Sequence, residues 1–327
     1  MKKTNLSVLT AITAMGLFCQ SCDWTDRHTC ASSDITFCTA VYVDSVEALD
    51  GRARQSMHVD FPVDEDTTQL AETLVAWLCN EVAENSYPDW VGDWPEAYVD
   101  QAEMERAVQD GPSSFAENFV SFYGKKGMER MTGELKNMVA DGYEGELINE
   151  LSIELVEQEK DYLTFVTHHF IYTGGAHGGQ RISGVTFRRS DGQQLDWSLF
   201  DQEKRAELSE LLKKGLMDYF SHYADEPIRT DSALFDNLLL FDDPETPENE
   251  LEFGIPMPSM APWLTRNGFV FMYSEYEIAP YAMGHPYCEI PVEAIRPLLN
   301  DKGRAWLQSM TLKPAGDTPG IVYEERL

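Results

Sequence analysis

Basic residues are scarce in this sequence. Its 327 residues include 25 lysines and arginines against 56 aspartates and glutamates, which gives a formal net charge of −31. A surface of this sign repels nucleic acid and anionic lipid, and it attracts cations or basic proteins. A high net charge also serves solubility alone, so both interpretations stay open.

Long apolar runs are missing beyond the N-terminus. One apolar stretch, residues 6–18, follows an opening Met-Lys-Lys and falls short of the roughly 18 residues that a membrane-spanning helix needs. This pattern predicts a signal peptide over residues 1–21. Residues 17–22, LFCQSC, place a small residue before a cysteine, as in a bacterial lipobox. We therefore expect Cys22 to carry lipid, with ordinary secretory cleavage nearby as the alternative.

Cleavage at this point would remove two lysines and change the charge from −31 to −33. We expect a lipid-anchored protein on the outer side of a membrane, joined to its anchor by a polar tether over residues 22–34. Cleavage also removes Cys19, and besides the lipidated Cys22 four cysteines would remain, which allow three pairings. An oxidising compartment permits Cys30 with Cys38 and Cys79 with Cys288, while buried free thiols are the alternative, above all for Cys79.

The common catalytic signatures are also absent. The sequence has no G-x-S-x-G, no HExxH, no phosphate loop ending in Gly-Lys-Ser/Thr and no G-x-G-x-x-G. The acidic loop at 242–248 lacks the calcium-loop pattern. We therefore expect no metal and no cofactor.

Periodicity in the remaining chain predicts an α+β fold. We expect antiparallel sheets with helices packed on one face, in two sequential α+β halves over residues 35–190 and 191–310, followed by a tail over 311–327. A turn at Leu49–Gly51 joins two predicted strands. The predicted helices are Thr68–Glu84, Pro95–Asp110, Ser113–Gly124, Lys125–Met138, Gln202–His222, Val292–Leu299 and Asp301–Ser309.

A central β-hairpin is predicted between residues 162 and 188. Tyr162–Thr173 is dense in the aromatic and β-branched residues that favour strands. Four glycines then fall within Gly174–Gly179 and permit backbone angles that other residues resist. Alternation resumes over Ile182–Arg188. We expect a wide, exposed tip between the two strands.

Histidines near this tip are candidates for chemistry. His177 lies between glycines and is free to bind, but catalysis would need a partner that orients its ring. Adjacent His168 and His169 point to opposite faces of a strand, one outward and one packed, so they cannot share a metal. A metal site of His177 with His285 has too few ligands for zinc.

A second candidate lies on a predicted strand over Phe269–Ile278. Glu275 and Glu277 would share one face of that strand, because side chains alternate. Paired carboxylates can perform acid–base chemistry at a sugar. Solvated glutamates on an exposed sheet face are the alternative.

Two motifs carry a resemblance to a known family. YTGGAH at 172–177, followed by YEIAPYAMG at 276–284, resembles the extracytoplasmic domain of RsiV-type anti-sigma factors. A similar domain precedes the catalytic part of PdaC-type peptidoglycan deacetylases. The resemblance covers roughly residues 41–310. On these motifs, the candidate ligand-binding residues are Tyr172, Gly174, Gly175, His177, Tyr276, Glu277 and Tyr281.

This resemblance implies a binding module of the cell envelope rather than an enzyme. RsiV-type domains bind lysozyme, a basic protein, and a peptidoglycan fragment is the other expected ligand. The anti-sigma role is not implied, since it needs a cytoplasmic segment and a membrane helix ahead of this domain. Nor is deacetylation, which resides in a separate domain. The alternative is an envelope hydrolase that uses His177 with a nearby carboxylate.

Overall fold

The computed structural model describes residues 35–48, 51–63, 68–86, 100–142, 145–239 and 254–310. Several predicted features lie outside the described residues: the signal peptide, the lipidated Cys22, the tether, Cys30, the acidic loop and the tail. None of the described helices combines the length and the apolar character that crossing a bilayer requires.

Strands and helices are mixed along the described chain, which confirms the α+β class. The strands are β1 (Phe37–Ala48), β2 (Gly51–Pro62), β3 (Gly145–Gln158), β4 (Tyr162–Thr173), β5 (Gly179–Arg188), β6 (Trp263–Leu264), β7 (Phe269–Met272) and β8 (Tyr287–Ile290). The α-helices are α1 (Gln69–Asn85), α2 (Gln101–Gln109), α3 (Phe115–Ala140), α4 (Arg205–Ser221), α5 (Asp231–Phe235), α6 (Val292–Ile295) and α7 (Asp301–Gln308).

The strands form two sheets. One has the order β1-β2-β3-β4-β5 and the other the order β6-β7-β8. Strands β1 and β2 are antiparallel, as are the strands of the smaller sheet. The expectation of antiparallel sheets needs one correction, because β2 and β3 run parallel from Gly51 opposite Gly145 to Val59 opposite Ile153. A parallel pair needs a long crossover, which α1, α2 and α3 supply.

The described residues divide into two compact units. The first contains the chain up to Glu154 together with His168–Gln180. The second contains Leu155–Thr167 together with the chain from Arg181 onward. Strands β3, β4 and β5 thus contribute residues to both units, and each unit is described separately below.

Helix α3 dominates the first unit. Its N-terminus has a capping box, in which the Ser114 hydroxyl accepts from the Glu117 amide and the Glu117 carboxylate accepts from the Ser114 amide. The helix runs unbroken from Phe115 to Ala140, so the prediction of two helices, Ser113–Gly124 and Lys125–Met138, is wrong. Gly124 and Gly127 instead let neighbouring residues approach the helix backbone closely. A Cβ at Gly127 would lie 2.5 Å from the carbonyl oxygen of Ser86.

A buried polar network lies beside that contact. His169 is buried, as predicted for one of the two adjacent histidines, while His168 is half-buried. Nε2 of His169 lies 2.7 Å from Oδ1 of Asn149, so Nε2 is the donor. Nδ2 of Asn149 donates in turn to the Ser86 carbonyl at 2.9 Å and to Oε1 of Gln55 at 3.1 Å. Buried polar groups need such partners, so this network fixes the register of β2, β3 and β4.

The second unit packs around helix α4. Gly215 lets β8 approach closely, since a Cβ there would lie 2.2 Å from Cβ of Cys288. Cys288 and Cys79 are buried free thiols, which is the second of the two alternatives that the sequence left open. Burial raises the pKa of Cys288 to about 12, and the thiol stays protonated. The surrounding core includes Leu212, Leu216, Phe220, Phe269, Phe271, Ile290 and Trp306.

Hydroxyl groups join β6 to the same unit. Oγ1 of Thr164 donates to the Leu264 carbonyl at 2.6 Å, and the Leu264 amide donates to Oγ1 of Thr186 at 2.7 Å. The two hydroxyl oxygens lie 2.9 Å apart. Gly184 admits Trp263 beside them, because a Cβ at that position would lie 2.2 Å from the indole.

Two glycines of helix α3 make a matched test of close approach. We expect Gly127→Ala to lower the free energy of unfolding by about 1–3 kcal/mol, because the added methyl meets a backbone carbonyl that cannot rotate away. Gly133 has nothing within 4 Å of its built Cβ. Gly133→Ala should therefore raise stability by up to about 1 kcal/mol through helix propensity. Urea unfolding measures both, and equal effects would contradict the packing.

Candidate functional site

The tip of the central hairpin is exposed, as predicted. Gly174 has φ of +85°, and a Cβ there would lie 2.9 Å from Cε of Met138. The positive φ favours glycine at this position, whereas the flexible end of the Met138 side chain could move aside. The Tyr172 hydroxyl donates to the Gly175 carbonyl at 2.9 Å and so closes the turn.

His177 is exposed in the same tip, and its Nδ1 lies 2.7 Å from the carbonyl oxygen of Gly178. A carbonyl can only accept, so Nδ1 is the donor in this contact. A backbone carbonyl fixes the ring, but it does not act as the buried carboxylate of a catalytic triad does. The imidazole of His177 therefore has a fixed orientation in the exposed tip.

The second motif forms a turn rather than a strand. Strand β7 ends at Met272, which corrects the strand predicted over Phe269–Ile278. Tyr276 has φ of +63°, and among the described residues it alone has a positive φ without being glycine. For a side chain of this size the left-handed region costs about 1–2 kcal/mol. Such strain persists only where the surroundings enforce it.

The carboxylate of Glu277 enforces this turn. Its Oε2 accepts from the Ser274 amide at 2.7 Å, and its Oε1 accepts from the Ser259 amide at 2.6 Å. Hydrogen bonds to a charged acceptor are roughly twice as strong as neutral ones. One side chain thus closes its own turn and ties that turn to the segment at Ser259.

Tyr276 points outward from the turn, and its side chain is 54% exposed. Its ring stacks on that of Tyr281, with 5.9 Å between centroids and 30° between planes. Burial and the nearby Glu275 carboxylate raise the pKa of Tyr281, so its hydroxyl stays protonated and able to donate. The turn therefore presents two aromatic rings and a phenol donor.

Glu275 and Glu277 do not form the predicted carboxylate pair on a sheet face. Glu275 is largely buried, and its Oε1 lies 3.7 Å from Nε2 of His285. His285 is buried as well, with Nδ1 3.3 Å from the Tyr273 carbonyl oxygen. Glu277 thus closes the turn, whereas Glu275 lies against His285. In the described ranges, no three His, Cys, Asp or Glu side chains come together as a metal site would require.

The structure distributes the candidate residues over both units. Tyr172, Gly174, Gly175 and His177 lie together in the first unit, whereas Tyr276, Glu277 and Tyr281 lie together in the second. Sequence reasoning missed Ser259 and Ser274, which act through their backbone amides. No side-chain pattern signals an amide donor, so these partners could only be found in three dimensions.

The fold is that of a two-unit α+β protein with one mixed and one antiparallel sheet. Residues 198–293 match the family described as "Protein of unknown function (DUF3298)". This segment covers under a third of the chain and contains the motif at 276–284. No curated protein matches the chain.

Two solved structures are also similar to this chain. A DUF3298 family member from Bacteroides fragilis has a TM-score of 0.53 at 18% identity, over 82% of this chain and 94% of its own. A DUF3298 family protein from Pseudomonas aeruginosa has a TM-score of 0.49 at 13% identity, over 82% of this chain and 96% of its own. At 18% identity the first likeness shows a shared fold, and it says nothing of ligands.

The strain at Tyr276 leads to a stability test. We expect Tyr276→Gly to be more stable than Tyr276→Ala by about 1 kcal/mol, because glycine adopts a positive φ without steric cost. Both variants lose the ring, so their difference isolates the backbone. Thermal unfolding measured side by side checks this expectation. An alanine variant as stable as the glycine variant would mean that the turn is unstrained.

Proposed function

We propose that this chain is a non-catalytic binding protein of the cell envelope that docks a basic protein of the lysozyme kind. The proposal rests chiefly on Tyr276, an exposed aromatic residue held in a strained backbone conformation by Glu277. Strained residues cluster at ligand clamps and active sites. Tyr276 also lies in the segment that matches DUF3298.

The aromatic pair has the properties of an interface anchor. Tyrosine is enriched among the residues that dominate binding energy. Tyr276 stacks on Tyr281, and Glu277 fixes the backbone below it, so little conformational entropy remains to be lost on binding. The turn therefore suits recognition of a partner's surface.

Charge supports a basic partner. A net charge of −31 raises the rate at which a cationic protein is captured, and complementary potentials orient the encounter. This agrees with the proposed resemblance to the outer domain of RsiV-type anti-sigma factors. Because peptidoglycan fragments carry no strong positive charge, the acidic surface favours them less than a basic protein.

Binding accounts for the site better than hydrolysis does. His177 is oriented by a backbone carbonyl, and Glu277 accepts from two backbone amides. An envelope hydrolase would need one of these groups to exchange protons with substrate and water. Their present hydrogen bonds favour fixed geometry over proton transfer.

Lysozyme binding can be tested directly by titration calorimetry. We expect binding at low salt that weakens as salt rises, because screening shortens the reach of the acidic surface. Tyr276→Ala should weaken binding by about 2 kcal/mol, roughly thirtyfold in Kd, as loss of an aromatic anchor does. Val43→Ala, which trims another exposed hydrophobic residue, should leave the Kd unchanged.

Two results would reject the lysozyme proposal. One is no detectable heat at low salt with the intact chain. The other is equal affinity for the wild type and Tyr276→Ala, which would move the interface away from this turn.

Membrane anchoring through Cys22 is a separate part of the proposal. We expect the wild type to fractionate with membranes and to label with a radioactive fatty acid. Cys22→Ser should be released into the soluble fraction without label, because a thioether-linked lipid cannot form on serine. Cys30→Ser is the control, and it should stay bound to membranes. Unlabelled wild-type protein would contradict the lipid anchor.

A further inference from the structure

A cavity of about 210 Å³ lies in the second unit, apart from the residues that either motif contributed. Its lining comes from two segments of the chain and consists of Trp197, Phe200, Asp201, Gln202, Arg205, Leu208, Met257, Pro258 and Ser259. Sites for drug-sized ligands measure roughly 300–1,000 Å³, so this cavity suits a single small ring.

One wall of the cavity is aromatic. Trp197 is half-buried and Phe200 is buried, with ring centroids 5.1 Å apart at 58°. The indole also packs on Phe271, 6.0 Å away, so the core holds it in place. Met257 continues this wall with an adaptable thioether. A flat, weakly polar face of a ligand would pack against it.

Three polar side chains, from Asp201, Gln202 and Arg205, line the cavity near the N-terminus of helix α4. Asp201 accepts from the Glu203 amide through Oδ1 at 3.1 Å, which fixes its carboxylate and leaves Oδ2 available. Gln202 adds an amide, and Arg205 adds a guanidinium one turn later. The three side chains together offer both acceptors and donors.

We infer that this cavity binds one pyranose sugar ring. A pyranose has a face of C–H groups that stacks on indole, and hydroxyls around its edge that both donate and accept. The aromatic wall matches that face, and Asp201, Gln202 and Arg205 match the hydroxyls. For an anionic ligand, repulsion by Asp201 would offset the attraction of Arg205, and a purely apolar ligand would leave three polar groups desolvated.

The cavity also connects to the Tyr276 turn. Ser259 lines the cavity, and its amide donates to Glu277 at 2.6 Å. A bound sugar would therefore order the segment that Glu277 holds. This site goes beyond the proposed protein docking: it needs Trp197 rather than Tyr276, so either can fail alone.

NMR of the tryptophan indole protons provides the test, with N-acetylglucosamine as the probe and the Trp197 signal assigned from Trp197→Phe. We expect a saturable shift of that signal in the intact chain. Asp201→Asn and Gln202→Ala should each raise the Kd about threefold to tenfold, as loss of one hydrogen bond does. Glu203→Gln, an exposed neighbour outside the lining, should leave the Kd unchanged.

Sorbitol and phenylalanine are the competing probes. Sorbitol has the hydroxyls without the ring, and phenylalanine has a ring with a zwitterion. No saturable shift with N-acetylglucosamine, or an equal shift with sorbitol, would overturn the pyranose assignment. A tighter response to phenylalanine would overturn it as well, in favour of an amino-acid site. Unchanged affinity in both Asp201→Asn and Gln202→Ala would reject the proposed polar side.

Discussion

The carboxylate of Glu277 is the constraint on which the second unit's surface depends. It accepts from the backbone amide of Ser274 in its own turn and from that of Ser259, which lies 18 residues away in sequence. These charge-assisted bonds offset the cost of the left-handed backbone at Tyr276. The display of Tyr276, its stacking on Tyr281 and the position of the cavity lining at Ser259 all follow from this one half-buried carboxylate. Removal of the Glu277 carboxylate would affect each of these features.

The hairpin tip in the first unit is also a turn with a positive φ, but different interactions stabilise it. There, glycine removes the steric cost of a positive φ, and neutral bonds from Tyr172 and His177 to backbone carbonyls close the turn. A glycine turn displays its own backbone, whereas the strained Tyr276 turn displays an aromatic ring. The two motifs therefore suit different ligand chemistry, one of polar contacts and one of apolar surface.

Sequence patterns predicted the helices and strands that depend on residues close together in sequence. Strand β4 has the predicted bounds because aromatic and β-branched residues make up most of its length. Helix α1 begins after Thr68 because a hydroxyl caps it. The turn at Tyr276 escaped prediction, since alternation continues through Glu275 and Glu277 and tyrosine rarely takes a positive φ. Parallel pairing of β2 with β3 and the cavity beside Trp197 also arise from contacts distant in sequence.

Hydrogen exchange at the Ser259 and Ser274 amides tests the central claim most directly. The account predicts that both amides exchange slowly in the wild type and rapidly in Glu277→Ala, while the amides of β4 keep their protection. Loss of the contact between the Tyr276 and Tyr281 rings should accompany that change. Slow exchange at both serines in Glu277→Ala would contradict the account, because some other group would then hold the turn.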